Sequence, residues 1–276
     1  MSHQLYKHLS EAVSEHQDAA LITITNHPEL SAVGTSFLLH KDGALFDENR
    51  LSFGLYTKIA DYCLPILDHG KTKTVVIPYE GKEIECYVEI FKAPPHLIVA
   101  GAGHVSEPVA EIGKMLGFFV TVIDDRPKFA NEERFPSADE VICSSYIEFF
   151  RNVPITPETY ILLLTRGHKF DVVSLQELLK REENLMAEDR TKYIGMIGSR
   201  RRISGVFEQL KSEFTDHNFI NIYSPVGLDI GAQTPTEIAI SILAEILKIK
   251  NASSGNSLKE KISSYSQLKF RERVKK

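Results

Sequence analysis

The feature that most constrains the fold is a series of short apolar segments beyond residue 95. Each segment has four to six residues, and helical stretches such as Val172–Lys180 separate them. Segments that are apolar on both faces and alternate with helices are typical of a parallel sheet covered by helices. We therefore predict a Rossmann-like domain with the strands Leu97–Ala100, Phe119–Ile123, Glu140–Cys143, Tyr160–Thr165, Tyr193–Met196 and Phe219–Ile222.

The region before this series predicts a smaller α+β domain. Ala20–Thr25 and Ser36–Leu39 have the composition of strands, and two later apolar segments flank the Glu80–Gly81 turn as a hairpin would. The paired prolines Pro94 and Pro95 break the chain before the first parallel strand. The fold class is α/β, with an N-terminal α+β domain (1–93), a Rossmann-like parallel sheet domain (94–250) and a flexible basic C-terminal tail (251–276).

Composition and charge exclude several classes of protein. The chain has no apolar run long enough to span a membrane, and its first residues are too polar for a signal peptide. The net charge is -5, and the segment 259–276 carries seven basic and two acidic residues, so the rest of the chain is strongly acidic. Such a surface argues against nucleic-acid binding. Three cysteines without C-x-x-C spacing indicate a reduced, cytoplasmic protein.

The first parallel strand runs into a glycine turn that resembles a dinucleotide-binding fingerprint. Gly101 and Gly103 precede a helix that we expect to begin near His104, and its free N–H groups would face an anion over the turn. Ser106 stands where a third glycine is usual. Glu107 lies in the first helical turn, where a carboxylate would compete with a ligand's phosphate.

An acidic and a basic group follow the second parallel strand. Asp124 comes 23 residues after Gly101, close to the spacing of a ribose-binding carboxylate. Asp125 and Arg126 come next, so a ribose acceptor and a guanidinium are both available. The choice between NAD and NADP stays open.

Three more loops are predicted at the same edge of the sheet, because ligands of doubly wound sheets bind outside the carboxyl ends of the strands. Thr165–Asp171 combines a cation, an imidazole and a carboxylate; Ile197–Arg202 brings a glycine, a hydroxyl and three arginines to a helix start; Ser224–Gln233 is punctuated by glycines. Asp171 alternatively caps the next helix. The candidate ligand-binding residues in these loops are Arg166, His168, Gly198, Ser199, Arg200, Arg201, Gly227 and Asp229.

The loops together resemble the xanthine dehydrogenase accessory protein family, XdhC/CoxI. The matching segments are GAGHVSEPVA (101–110), VTVIDDRPKFANEERFP (120–136), TRGHKFD (165–171), YIGMIGSRRR (193–202) and SPVGLDIGAQTPTEIAISILAEI (224–246). The resemblance implies a protein that binds molybdenum cofactor and helps to insert it into apo-xanthine dehydrogenase, as a carrier rather than a catalyst.

The N-terminal region departs from that family. Members of the family commonly carry a Gly-Gly-Cys stretch in this region. The corresponding residues 43–55 of this chain contain no cysteine. We expect Cys63 and Cys86 to be buried apolar residues instead of reactive thiols.

Three functions remain open from the sequence. The first is a molybdenum-cofactor insertion factor, in which the ligand phosphate lies at the helix starts near Gly103 and Gly198. The second is an NAD(P)-dependent oxidoreductase, for which His168 is the one proton-transfer candidate. The third is a nucleotide-sensing module without chemistry. We predict no resident metal, and we expect a homo-oligomer.

Overall fold

The computed structural model describes residues 3–14, 17–46 and 52–261. The chain divides into two compact units, with the boundary between Pro95 and His96. No helix in the described ranges is both long enough and apolar enough to cross a membrane.

The N-terminal unit is an antiparallel sheet with helices on its two faces. The sheet has the order β3-β2-β1-β5-β4. Its elements are α1 (His3–Ser14), β1 (Ala19–Asn26), β2 (Ser36–His40), β3 (Leu45–Phe46), α2 (Phe53–His69), β4 (Lys73–Tyr79) and β5 (Lys82–Phe91). Glu80 and Gly81 both have positive φ, as a two-residue β-hairpin turn requires, so the predicted hairpin is confirmed.

Successive side chains along each strand point to opposite faces of this sheet, and each face forms a hydrophobic core of its own. One face packs on α2 through residues such as Ile22, Phe37 and Ile59, and the other packs on α1 through Leu21 and Leu38. Cys63 and Cys86 lie in the α2 core, where burial raises the pKa of each thiol to about 12. Both are therefore buried apolar residues, as expected.

The C-terminal unit is a parallel sheet between two layers of helices. The strand order is β11-β10-β9-β6-β7-β8, and every neighbouring pair is parallel. The elements are β6 (His96–Ala100), α3 (Ser106–Met115), β7 (Phe119–Asp124), β8 (Glu140–Cys143), α4 (Tyr146–Asn152), β9 (Thr159–Leu163), α5 (His168–Glu182), β10 (Tyr193–Met196), α6 (Arg200–Leu210), β11 (Ile222–Tyr223) and α7 (Pro235–Lys250).

This strand order is that of doubly wound dinucleotide-binding domains, and it confirms the predicted fold class. The direction of winding reverses between β6 and β9, which are buried along their whole length. Helices α3 and α7 cover one face, and α4, α5 and α6 cover the other. A ligand crevice is expected outside the carboxyl ends of β6 and β9.

The predicted bounds of two strands are wrong. The strand predicted at Tyr160–Thr165 is Thr159–Leu163 in the structure. Phe219–Ile222 is not a strand: Asp216–Phe219 forms a 3-10 turn, and β11 begins at Ile222. The Asn218 side chain accepts from Thr215, and such local side-chain bonds stabilise a turn at the expense of a strand. Helix α3 begins at Ser106, after a short turn, which agrees with the predicted start near His104.

Candidate functional site

The turn after β6 requires glycine at its first position. Gly101 has φ +117°, and a side chain there would place its Cβ 2.7 Å from the carbonyl carbon of Leu164 and closer still to its oxygen. Its N–H donates to the Ile123 carbonyl over 2.7 Å. The turn is thus wedged between the ends of β7 and β9.

Ser106 replaces the usual third glycine without loosening the turn. Its side chain is fully buried, and its hydroxyl donates to the Gly101 carbonyl. The close approach of helix to sheet occurs at Gly113 instead, where a Cβ would lie 2.6 Å from the Leu97 side chain. Gly113 lies two helical turns after Ser106 on the same face, so the spacing of small residues in the sequence was a signal for it.

The open part of the turn lies at Gly103 and His104. A Cβ at Gly103 would meet no atom within 4 Å, and His104 is exposed. Glu107 does not compete for a ligand here, because its carboxylate pairs with Arg134. Arg134 also donates to the Ala102 carbonyl over 3.1 Å and was not predicted as part of the site.

Asp124, the predicted ribose acceptor, is sealed inside the protein. Its side chain is 1% exposed. One oxygen accepts from Ala102 N–H (2.9 Å), Arg126 Nη2 (2.9 Å) and the Tyr146 hydroxyl (3.3 Å). The other accepts from the N–H and Nε of Arg126 at 3.1 and 2.8 Å. Burial alone would raise the pKa of Asp124, but these hydrogen bonds outweigh it and lower the pKa to about 2.

Asp125 and Arg166 form a second, more exposed pair. The two guanidinium NH2 groups bond the two carboxylate oxygens, with Nη2–Oδ2 at 2.9 Å. The Arg166 guanidinium stacks 3.8 Å above the Phe170 ring centre. Arg126 stacks in the same way on Phe129, at 3.7 Å.

A buried network joins the loops after β9 and β10. Asp171 is fully buried within the first turn of α5, where it accepts from the Thr165 hydroxyl and from Arg202 Nε, each over 2.6 Å. Arg202 also donates to the Thr165 carbonyl at 3.0 Å. The predicted cap role of Asp171 is wrong: the residue lies inside α5, and no side-chain cap bond is made at Gly167.

The loop after β10 presents two arginines to solvent. Ser199 caps α6 by accepting from the Arg202 N–H, and Gly198 lies beneath the side chains of Arg202 and Ile203. Arg200 and Arg201 are exposed, and neither makes a side-chain hydrogen bond or ion pair within residues 3–14, 17–46 and 52–261.

His168 lies against α6 rather than over the glycine turn. Its Nε2 is 3.3 Å from Gln209 Oε1, and its ring borders Gly205. The structure therefore places His168 beside the side-chain amide of Gln209. That glutamine belongs to α6, the helix that starts with Arg200 and Arg201.

The loop Ser224–Gln233 is held onto α7. Gly227 has φ +102°, and a Cβ there would lie 2.5 Å from the Ser241 hydroxyl. Its N–H donates to Glu245 over 2.9 Å, and Glu245 also accepts from the Tyr193 hydroxyl at 2.6 Å. Asp229 is exposed. Gly227 thus allows the loop to pack closely on α7. The sequence did not indicate the role of Glu245 in holding this loop, because an acidic residue in a helix is usually exposed to solvent.

The structure divides the predicted residues into two groups. The loops after β6, β7 and β9 interlock around Gly101, Asp124 and Arg166 at the point where the winding reverses. The loops after β10 and β11 continue along the same edge and carry Gly198, Ser199, Arg200, Arg201, Gly227 and Asp229. Among the described residues, no cluster of three or more His, Cys, Asp or Glu side chains is arranged for a metal.

Known proteins resemble this chain in fold and in sequence. A crystal structure from Bacillus halodurans, described as a xanthine dehydrogenase, superposes with a TM-score of 0.51 at 21% identity, over 91% of this chain and 97% of that one. That likeness supports the fold.

Two curated relatives match at the sequence level. The uncharacterized protein YqeB of Escherichia coli K12 is 30% identical over 177 residues, 63% of this chain and 31% of the relative. A probable xanthine dehydrogenase subunit of Bacillus subtilis 168 is 28% identical over 187 residues, 67% of this chain and 52% of the relative. The chain thus spans about a third and about half of these two relatives' lengths. The family model of the XdhC Rossmann domain matches residues 97–246, more than half of the chain, and the protein therefore belongs to the XdhC family.

Proposed function

We propose that this protein is an accessory factor of a xanthine dehydrogenase, and that its Rossmann-like domain binds molybdenum cofactor by its phosphate for delivery to the apoenzyme. Membership of the XdhC family supports the accessory role. The name of the Bacillus subtilis relative, a probable xanthine dehydrogenase subunit, supports the choice of partner.

The burial of Asp124 is the observation that favours a phosphate-bearing pterin over a dinucleotide as the ligand. In dinucleotide-binding domains an acidic residue at this position accepts hydrogen bonds from the ribose. Here five donors already surround the carboxylate, and the Arg126 guanidinium binds both of its oxygens. A ribose would have to displace a bidentate arginine, which favours a ligand recognised by its phosphate over one recognised by its ribose.

The cations at the start of α6 suit that phosphate. Arg200 and Arg201 follow the Ser199 cap, where the free N–H groups of the helix already favour an anion. A phosphate held there gains charge-assisted hydrogen bonds from two arginines that pair with no carboxylate among the described residues. Gly103, with open space over its Cα, leaves room for the rest of a ligand along the same edge.

The test compares two double variants of equal charge. Arg200→Gln/Arg201→Gln removes the two cations at the edge, whereas Lys192→Gln/Lys211→Gln removes two from before β10 and after α6. Each protein is loaded anaerobically with molybdenum cofactor, freed of excess, and assayed for bound pterin by fluorescence after oxidation. It is then mixed with apo-xanthine dehydrogenase, and the recovered xanthine oxidation is measured.

We expect the arginine variant to retain at least about tenfold less cofactor and to activate the apoenzyme correspondingly less, because two charge-assisted contacts are lost. The lysine variant should behave as wild type. Equal retention by both variants contradicts the proposal. If the loaded protein contains only background pterin and instead binds NADPH saturably, the results favour an NADP-dependent oxidoreductase.

A further inference from the structure

The ion pair between Asp125 and Arg166 joins two loops at the edge where the ligand crevice is expected. Asp125 follows β7, Arg166 follows β9, and β6 lies between these two strands. Strands two positions apart in a sheet are separated by about 10 Å, so the two side chains together must bridge the carboxyl end of β6. The pair therefore lies at the edge where the ligand crevice is expected, outside the carboxyl ends of β6 and β9.

The two aspartate–arginine pairs at this edge differ in how firmly they are held. Asp124 is 1% exposed and has five donors, so Arg126 is a permanent partner. Asp125 is 29% exposed, and within the described parts of the chain it accepts hydrogen bonds from Arg166 alone. Arg166 is itself 33% exposed. Of the two pairs, only the second can open without unsealing a buried carboxylate.

The Phe170 ring keeps Arg166 in place when its carboxylate leaves. The guanidinium carbon lies over the ring, 3.8 Å from its centre, and this cation–π contact does not involve Asp125. The Arg166 Nη1 also lies 3.8 Å from Asp124 Oδ1, so an arginine released by Asp125 keeps two contacts that hold it at this edge.

We propose that the Asp125–Arg166 pair is a strap that closes the crevice in the ligand-free protein and opens by exchange of the Asp125 carboxylate for a ligand phosphate. Asp125 then determines specificity. A phosphate dianion attracts the Arg166 guanidinium more strongly than a carboxylate does, and it therefore displaces the Asp125 carboxylate. A neutral or singly charged ligand leaves the strap closed. This inference rests on the proposed binding of a phosphate-bearing ligand at this edge.

Calorimetric titration with inorganic pyrophosphate, at constant ionic strength, tests the strap. Asp125→Asn should bind about fivefold more tightly than wild type, because no carboxylate has to leave Arg166 before the phosphate binds it. Glu133→Gln is the matched control, since it removes one exposed negative charge after the same strand without freeing an arginine. That control should change the affinity by less than about twofold.

The double variant Asp125→Asn/Arg166→Gln separates exchange from a general charge effect, because its net charge equals that of wild type. The strap predicts that it binds pyrophosphate no more tightly than wild type. The proposal is overturned if this variant keeps the gain of Asp125→Asn, if Asp125→Asn gains no more than Glu133→Gln, or if wild type binds no pyrophosphate. Failure to activate apo-xanthine dehydrogenase, with the pyrophosphate results intact, would reject the proposed cargo and leave the strap standing.

Discussion

Neutralising Asp124 should destabilise the Rossmann-like unit in a pH-dependent way. The fall of the Asp124 pKa from 3.8 to about 2 corresponds to about 2 kcal/mol of preferential stabilisation of the ionised carboxylate. The residue is 1% exposed, so solvent screening does not reduce this figure much. Asp124→Asn should therefore cost at least about 2 kcal/mol at pH 7.

The sign of the pH dependence follows from the lowered pKa. The stabilisation is fully present above the pKa of the unfolded chain, near 4, and is lost as the pH falls through about 2. At pH 3 about half of it should remain, so the stability difference between wild type and Asp124→Asn should shrink by about half between pH 7 and pH 3.

Urea unfolding followed by circular dichroism measures this difference, and is the method of choice because the chain has no tryptophan. Asp125→Asn is the control, since its carboxylate is 29% exposed and has a single partner; it should cost less than about 1 kcal/mol. Equal losses for the two variants, or a loss for Asp124→Asn that does not change between pH 7 and pH 3, would refute the reasoning.

Three further predictions concern stability and reactivity. Gly101→Ala should lower the free energy of unfolding by about 3 kcal/mol, because it combines a positive φ with a clash on Leu164, whereas Gly103→Ala should cost less than about 1 kcal/mol; urea unfolding compares them. Arg202→Gln should cost about 3 kcal/mol by leaving a buried carboxylate without its cation, seen as a lower melting temperature. A thiol reagent at pH 8 should label Cys143 rapidly in the native protein and leave the two buried thiols unreacted until unfolding, as mass spectrometry would show.

The parallel sheet was predictable because its signal is local. The strands Glu140–Cys143 and Tyr193–Met196 have the predicted bounds. Tyr193–Met196 is fully buried, as a short apolar segment between helices should be, whereas Glu140–Cys143 is a partly exposed edge strand. Where local side-chain bonds compete, as at Asn218 before β11, the apolar pattern predicted a strand that a turn replaces.

The candidate site was only partly predictable, because its charges pair across long separations. The sequence placed Asp124, Asp125 and Arg166 at one edge of the sheet. It did not indicate that three hydrogen bonds from Arg126 and two from Ala102 and Tyr146 would occupy the first carboxylate. Nor did it indicate that Arg166, 41 residues away in the chain, would pair with the second. These pairings depend on which loops lie side by side, and that is a property of the strand order.

The arginine triplet shows a signal that could have been used. Ile203, Val206 and Leu210 form the buried face of α6, and Arg202 lies one turn before Val206. Helical periodicity therefore indicates that Arg202 turns inward, to Asp171, while Arg200 and Arg201 face solvent.

Native mass spectrometry of the protein purified from its own host is the most direct test of a phosphate-bearing pterin as the ligand. Spectra are recorded before and after an excess of NADPH is added, and again for Arg200→Gln/Arg201→Gln. We predict a mass increment equal to the pterin cofactor that persists in NADPH and is lost in the double variant. A nicotinamide dinucleotide increment in its place, or a pterin increment that the double variant retains in full, would contradict the proposed function.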